Sequence, residues 1–377
     1  MASAADFAIL STQLHVTYMS TDISVDVNKD LLSFVYTDNC NDEADNFKLI
    51  LKDETGKWAG TWSPTRGEYI DAFITTDFRG SLMPGMMIVD SLSTSGSPRI
   101  FEINAVSIPL DNTIRRTPKT RNFEQINLQK IAAQIASEAG LEFMFDSQED
   151  PVYDRIDQRQ ESDLAFLKRL CDEAGLSVKV SAEMLIIFDQ LSYEKKDPVC
   201  SYVLGLHGVL SWSFNSQQSQ RYRACTVKWR NVKKKTKSSA NSQGIMLLAA
   251  SDNDVDIWGT NDIGKKGKRK KSAEYIDYTY VDETVDESGQ IYVIKKRCSS
   301  LQEAERIAKA KLRQLNLRQT TGTLTLVGNP LLMAGECVLL QNFGSFDGKF
   351  FIEQAEHSVN SGGYITSIQV RRVNENY

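Results

Sequence analysis

Leu82-Met83-Pro84-Gly85, with Ile88-Val89, Arg99, Phe101 and Ala105 behind it, is answered 250 residues later by Leu332-Met333-Ala334-Gly335, Val338-Leu339, Lys349, Phe351 and Ala355. Aligning residues 80–107 with 330–357 needs no gap. Only six of the 28 pairs are identical, so the weight rests on where the matched types fall. Each copy offers a turn glycine, an apolar strand, a polar loop and a second strand opened by an aromatic residue. One β module built twice, with other material between the copies, accounts for this pattern and points to a scaffold before a catalyst.

Around the first copy, residues 31–36, 47–51, 68–75, 86–89 and 100–106 are short runs of β-branched, aromatic and aliphatic residues. Asp53-Glu54-Thr55-Gly56 and Ser95-Gly96-Ser97-Pro98 supply turn chemistry between them, as in a sandwich or barrel. At 113–121 the texture turns polar and basic, like a linker. Helical period follows: Asn127 can cap a helix with Leu128, Ile131, Ala132, Ile135 and Ala139 on one face, stopped by Gly140. After a short strand at 141–145, Ser162 opens a second helix with Leu164, Phe166, Leu167 and Leu170 as its stripe, and Gly175 closes it. Residues 176–180 and 184–188 read as a hairpin. Strand pattern returns at 199–206, 209–214, 223–229, 275–281 and 291–294. A helix over 301–317, capped by Ser299 or Ser300, carries Ala304, Ile307, Ala308, Lys311, Leu312 and Leu315, and strands at 322–327, 337–340, 349–356 and 364–371 close the chain.

At 377 residues, 41 % apolar and 25 % charged, the chain has the composition of a globular protein with room for two to four domains. Its formal charge of -5 argues against a surface devoted to nucleic acid. Six scattered cysteines without CxxC spacing read as buried free thiols, in keeping with assembly in a reducing cytoplasm. The first ten residues lack a secretory pattern, and no apolar run reaches the ~20 residues of a membrane span.

Catalytic parts are sought without success. His15, His207 and His357 are far apart in strand-like contexts, where a hydrogen-bonded histidine is the plain reading. No GxSxG, HExxH, Walker-type or dinucleotide-binding motif is present. Asp252-Asn253-Asp254-Val255-Asp256 has the look of a calcium loop but lacks its glycine and terminal glutamate. Two basic runs, 233–237 and 265–271, could meet phosphates, yet no aromatic residues alternate with the lysines to stack bases, and a solvated loop is the simpler reading. The expectation is therefore no catalytic, cofactor-binding or metal-binding residues, and no cofactor.

The run from Asp157 to Leu176, containing Gln160-Glu161-Ser162-Asp163, Phe166-Leu167, Arg169-Leu170 and Gly175, resembles the Q-x-E-S-D-x-x-F-L-x-R-L-x-x-x-x-G segment of contractile-tail baseplate hub proteins, the late-control protein D group and the hubs of Mu-like phages. Residues 128–141 match the helix and Gly-Leu that precede it. Gly328-Asn329-Pro330 through Gly335, then His357 and Gly362-Gly363-Tyr364-Ile365-Thr366, are similar to that family's closing signature. The resemblance implies an α+β, mainly β chain with two tube-type β-barrel domains and smaller α+β domains, three chains closing into a ring with pseudo-six-fold symmetry. Gly85 and Gly335 would be turn glycines, Phe101 and Phe351 barrel-core anchors, and Ser162 and Asp163 capping devices rather than a nucleophile pair.

On that reading 1–110 is the first tube-like barrel, 111–195 a small α+β domain, 196–232 the first part of the second barrel, 233–298 an inserted polar and basic region, and 299–377 a helix with the rest of the second barrel. The implied function is a non-enzymatic hub in a virion tail baseplate, assembled in the host cytoplasm, adapting a six-fold tail tube to a three-fold spike. Implied partners are two further copies, the tail tube protein, the central spike, and baseplate wedge or tape-measure proteins. DNA would pass through the lumen without specific binding, and no membrane insertion is expected. The alternatives are a tail-associated cell-wall hydrolase and a DNA- or polysaccharide-binding module using the basic runs.

Overall fold

The computed structural model describes residues 11–374 except 41–43, 78, 108–112, 181–183, 207, 218–220, 231–274, 297 and 299. The first part of the chain forms β1 (Thr12–Tyr18), β2 (Thr21–Asp22), α1 (Ser24–Asp30), β3 (Leu31–Asn39), β4 (Asn46–Lys52), β5 (Tyr69–Thr76), β6 (Gly80–Leu82), β7 (Met87–Ser95) and β8 (Ile100–Val106). The middle supplies α2 (Thr113–Arg116), β9 (Pro118–Asn127), α3 (Leu128–Glu138), β10 (Glu142–Asp146), β11 (Val152–Ser162), α4 (Asp163–Ala174), β12 (Ser177–Val180), β13 (Met184–Phe188) and α5 (Gln190–Lys195). Then come β14 (Cys200–Val203), β15 (Val209–Ser216), β16 (Tyr222–Arg230), β17 (Tyr275–Val281), β18 (Gln290–Lys295), α6 (Leu301–Asn316), β19 (Thr320–Val327), β20 (Cys337–Gln341), β21 (Gly348–Asn360) and β22 (Gly363–Arg372).

Period-two alternation explains the strands: β4 buries Phe47, Leu49 and Leu51, and β8 buries Phe101, Ile103 and Ala105, on one face. These join Leu14, Phe34, Ile70 and Val89 in one core, while Leu324, Leu340, Phe350, Ile352 and Ile368 form a second. Each half thus rolls around its own apolar centre. Backbone pairing nevertheless links both into one fourteen-stranded sheet, and no closed barrel is found among the described residues.

The main path of that sheet contains two four-strand runs, β15-β19-β22-β21 and β3-β4-β8-β7, each with its strands in the same chain order. The bulges coincide as well. Register shifts at Leu31/Ser33 in the β3–β4 pair and at Val209/Ser211 in the β15–β19 pair, and again at Val89/Ser91 in β7–β8 and at Ile352/Gln354 in β21–β22. The duplication therefore matches β7 with β21 and β8 with β22, one strand out of step with the 250-residue sequence repeat. That repeat still marks a shared local unit: Gly85 and Gly335 both have positive φ, and Phe101 and Phe351, Ala105 and Ala355 are all buried. Beyond it the copies part, for Met333 packs on the first core whereas Met83 is 70 % exposed.

In the middle module the helices start and stop where the sequence places them. Asn127 accepts from the Lys130 N–H, Ser162 from the Ala165 N–H, and Gly175 takes a left-handed φ of 76° that closes α4. Two segments are arranged otherwise than the sequence reading has them. The supposed linker at 113–121 enters β9, which pairs along its length with β11 as a polar ribbon. With Phe123 its one buried residue, β9 has no apolar alternation to read, and ion pairs such as Arg155–Glu124 run across the ribbon instead. Residues 196–232, expected to feed one barrel, divide: β14 and β15 join the large sheet, whereas β16 lies between β17 and β18 in a three-stranded sheet packed on α6. Both basic runs and the calcium-like segment fall outside the described residues.

Gly85 (φ +84°) and Gly335 (φ +94°) have open space where a Cβ would stand, so substitution there meets backbone strain and no clash. Gly335→Val should lower unfolding free energy by about 1–3 kcal/mol and Gly335→Asn by distinctly less, with the same order at Gly85, measured from urea midpoints. Equal losses for Val and Asn would contradict a conformational origin.

Candidate functional site: the seam between the two halves

The halves meet where the C-terminal part of β21 pairs antiparallel with β3, from Gln354 opposite Asn39 to Asn360 opposite Ser33. Beneath this ladder the closing signature folds into one buried cluster. His357 Nε2 donates to the Leu332 carbonyl at 2.9 Å, which leaves Nδ1 to accept from the Tyr364 hydroxyl at 2.7 Å. The Tyr36 ring of β3 stacks near the imidazole, with centroids 6.2 Å apart. Asn329 donates its backbone N–H to Thr366 Oγ1 and its amide to the Tyr202 hydroxyl. Gly328 lets Tyr364 close over the backbone, since a Cβ there would lie 2.2 Å from ring carbons.

Burial pushes the His357 pKa down to about 4, against the opposing pull of the Leu332 carbonyl and Asp38. The neutral ring is thus bonded within the second half and faces Tyr36 of the first. Both nitrogens are engaged by structural partners within the protein.

A second tie joins three parts of the molecule. Asp38, buried at the end of β3, accepts from Lys179 of β12 at 2.8 Å and from the Ala334 backbone N–H of the second half at 2.8 Å. Lys179 also reaches Asp45 at 3.0 Å. Burial pushes Asp45 up to about 6 against the pull of Lys179, while Lys179, despite its own burial, is held above its usual range by the two carboxylates. A third tie centres on Glu194 of α5, which receives Arg371 of β22 at 2.5 Å and Arg313 of α6 at 2.7 Å. Both Glu194 and Arg371 are inaccessible to solvent, so each needs the other.

The residues of the Q-x-E-S-D motif do more than cap. Ser162 caps α4, but Asp163 is a buried carboxylate that holds Lys119 and Arg121 of β9 and receives Gln158. Arg169 returns to Glu161 and to the Asp157 carbonyl. The motif therefore fastens the polar ribbon to α4, a role visible only once β9 is seen to be a strand. His15 bonds Thr75 Oγ1 and stacks on Phe73, while His207 lies outside the described residues. All six cysteines are free, and five are buried. A polar cleft of about 540 Å³ opens between α4, α6 and β21–β22, lined by Lys168, Asp172, Arg313, Arg318 and Glu353 among others.

The overall fold is similar to that of solved tail proteins. A tail protein from Neisseria meningitidis MC58 superposes with a TM-score of 0.67 at 13 % identity, covering 96 % of this chain and 97 % of that one. The 43 kDa tail protein of prophage MuSo2 from Shewanella oneidensis gives the same score and identity over 96 % and 98 %. In sequence, the "probable baseplate hub protein" of Escherichia phage 186 is 25 % identical over 372 residues, 96 % of this chain and 93 % of the relative. The model of the phage tail baseplate hub (GPD) family matches residues 109–363, from the middle module through the seam, and the chain belongs to that family.

Two variants probe the seam. Gly328→Ala should unfold at lower denaturant than wild type by about 2–4 kcal/mol, because Tyr364 must leave its place over His357. His357→Gln removes the titrating ring. The folded pKa lies below the unfolded value of 6.5, so the stabilisation from His357 is complete above pH 6.5 and is lost as pH falls towards 4. Relative to the variant, wild type should lose about 3 kcal/mol across that window in denaturation measured at several pH values, a difference in which the opposite trend of Asp45 cancels.

Proposed function

We propose that this hub is a symmetry adaptor: three copies close into a ring whose six similar units match a six-fold tail tube on one side and a three-fold spike on the other. The carrying observation is the duplicated four-strand run, with bulges at corresponding places, inside one sheet. Each run with its core is a tube-like unit, and a chain holding two of them lets three subunits imitate six. The middle module and the three-stranded sheet with α6 are appended outside these units. The partners on this reading are two further copies, the tail tube protein, the central spike and wedge or tape-measure proteins, in the baseplate of a contractile tail or tail-like injection particle put together in the host cytoplasm. DNA crosses the lumen without specific recognition. The work is surface complementarity, driven by apolar burial at interfaces, and no step of chemistry is assigned to the chain.

Light scattering on the purified protein should give three times the chain mass of 42.4 kDa, and averaged electron micrographs should show a ring with three-fold and near six-fold features. A monomer both in solution and in assembled particles would sink the proposal.

A further inference from the structure

Among the described residues Arg115 of α2 makes no hydrogen bond or ion pair, although it is part-buried and its Nε is shut away from solvent. Burial alone pulls its pKa down, with no carboxylate to hold it up. A desolvated guanidinium without a counter-ion is costly. Elsewhere the chain matches comparable groups, Arg121 with Asp163 and Arg371 with Glu194.

Arg115 lines a pocket of about 330 Å³ together with Leu164, Ala165 and Lys168 of α4 and Val178 and Val180 of β12, and no carboxylate lines it among the described residues. Lys168 and Val178 also line the polar cleft of about 540 Å³, so the two cavities adjoin in one groove that follows α4 from Ser162 to Gly175. The twelve residues of α4 span ~18 Å, the length of about five residues of extended chain.

The wall opposite α4 is a strand with a free side. β12 is the edge of the sheet β10-β13-β12 and pairs only with β13 among the described residues. Every second residue of such an edge turns its N–H and C=O away from the sheet. An edge strand beside a helix suits an extended peptide, which adds as a further strand and sends alternate side chains into the groove. Leu164, Val178 and Val180 offer apolar contact there, and Arg115 offers a charge to be met. Nucleic acid fits less well, because its regularly repeated phosphates would also meet Asp172 and Glu353 in the cleft.

We propose that this groove binds an extended segment of a partner protein, which adds to the β12 edge, places a Glu or Asp carboxylate on Arg115 and packs a neighbouring apolar side chain against Leu164 and Val180. The site lies on the middle module and does not rest on the ring proposed above.

The test is selection of binders from a library of random short peptides on the full chain, with each binder measured on three variants. Arg115→Gln removes the cation. Ala165→Glu completes a Ser-x-x-Glu capping box with Ser162 and sets a carboxylate of the chain's own in the pocket. Arg116→Gln changes the exposed neighbour and is the control. Selected peptides should share an acidic residue beside an apolar one, lose about ten-fold or more in affinity on Arg115→Gln and on Ala165→Glu, and bind Arg116→Gln like wild type. Replacing the peptide's acid by its amide should cost a similar factor on wild type and little on Arg115→Gln. Urea midpoints of Arg115→Gln and Ala165→Glu should equal or exceed that of wild type. A lower midpoint for Arg115→Gln would mean that the arginine has a structural partner, and would overturn the site. So would a selection yielding no peptide that prefers wild type to both variants. Binding of an oligo(dT) probe that both variants abolish would make nucleic acid the occupant and overturn the peptide.

Discussion

The pairing of β21 with β3 is the constraint on which the rest of the molecule depends. It takes two apolar rolls that each have a core and makes them one sheet, so their relative orientation is fixed by backbone hydrogen bonds and not by a hinge. Side chains then lock that geometry from below. His357 bridges Leu332 and Tyr364, and Asp38 joins β3 to β12 and to the Ala334 turn. Such buried polar groups have few acceptable alternatives, because a displaced strand would leave a carboxylate or imidazole buried without a partner. They favour one orientation over its neighbours more than they add raw stability.

That rigidity suits a hub of a tail baseplate. The appended elements are fixed in the same manner. Glu194 gathers β22, α5 and α6 around one carboxylate, and Asp163 gathers β9, β11 and α4 around another. Burying ions in this way is expensive unless every partner is present. The expense falls on any arrangement other than the native one, which explains why the module boundaries carry charges while the module centres are apolar.

Legibility in the sequence followed the strength of the local signal. Helices α3, α4 and α6 were readable because cap, stripe and stop lie within a few turns of one another. The β9–β11 ribbon was not, since its strands are held by cross-strand polar pairing that leaves no period in a single strand. The repeat was read correctly as a local unit and incorrectly as the unit of duplication. Strand–turn–strand chemistry resembles itself wherever it occurs, and only the hydrogen-bond ladder tells which strands correspond. His357 was visible as part of a signature, but its role depends on Leu332 and Tyr364 reaching it from two directions.

By itself the sequence determined the local matters: which residues turn, cap and alternate, that the chain is mainly β with a small α+β module, and which motifs tie it to baseplate hubs. Those follow from interactions spanning a few residues, which the order of side chains encodes directly. The tertiary structure alone decided that the halves share one sheet, that the two four-strand runs correspond strand by strand, and that the polar motifs are fasteners. Those properties belong to pairs of segments far apart in the chain, and their energies exist only when folding has brought both members together.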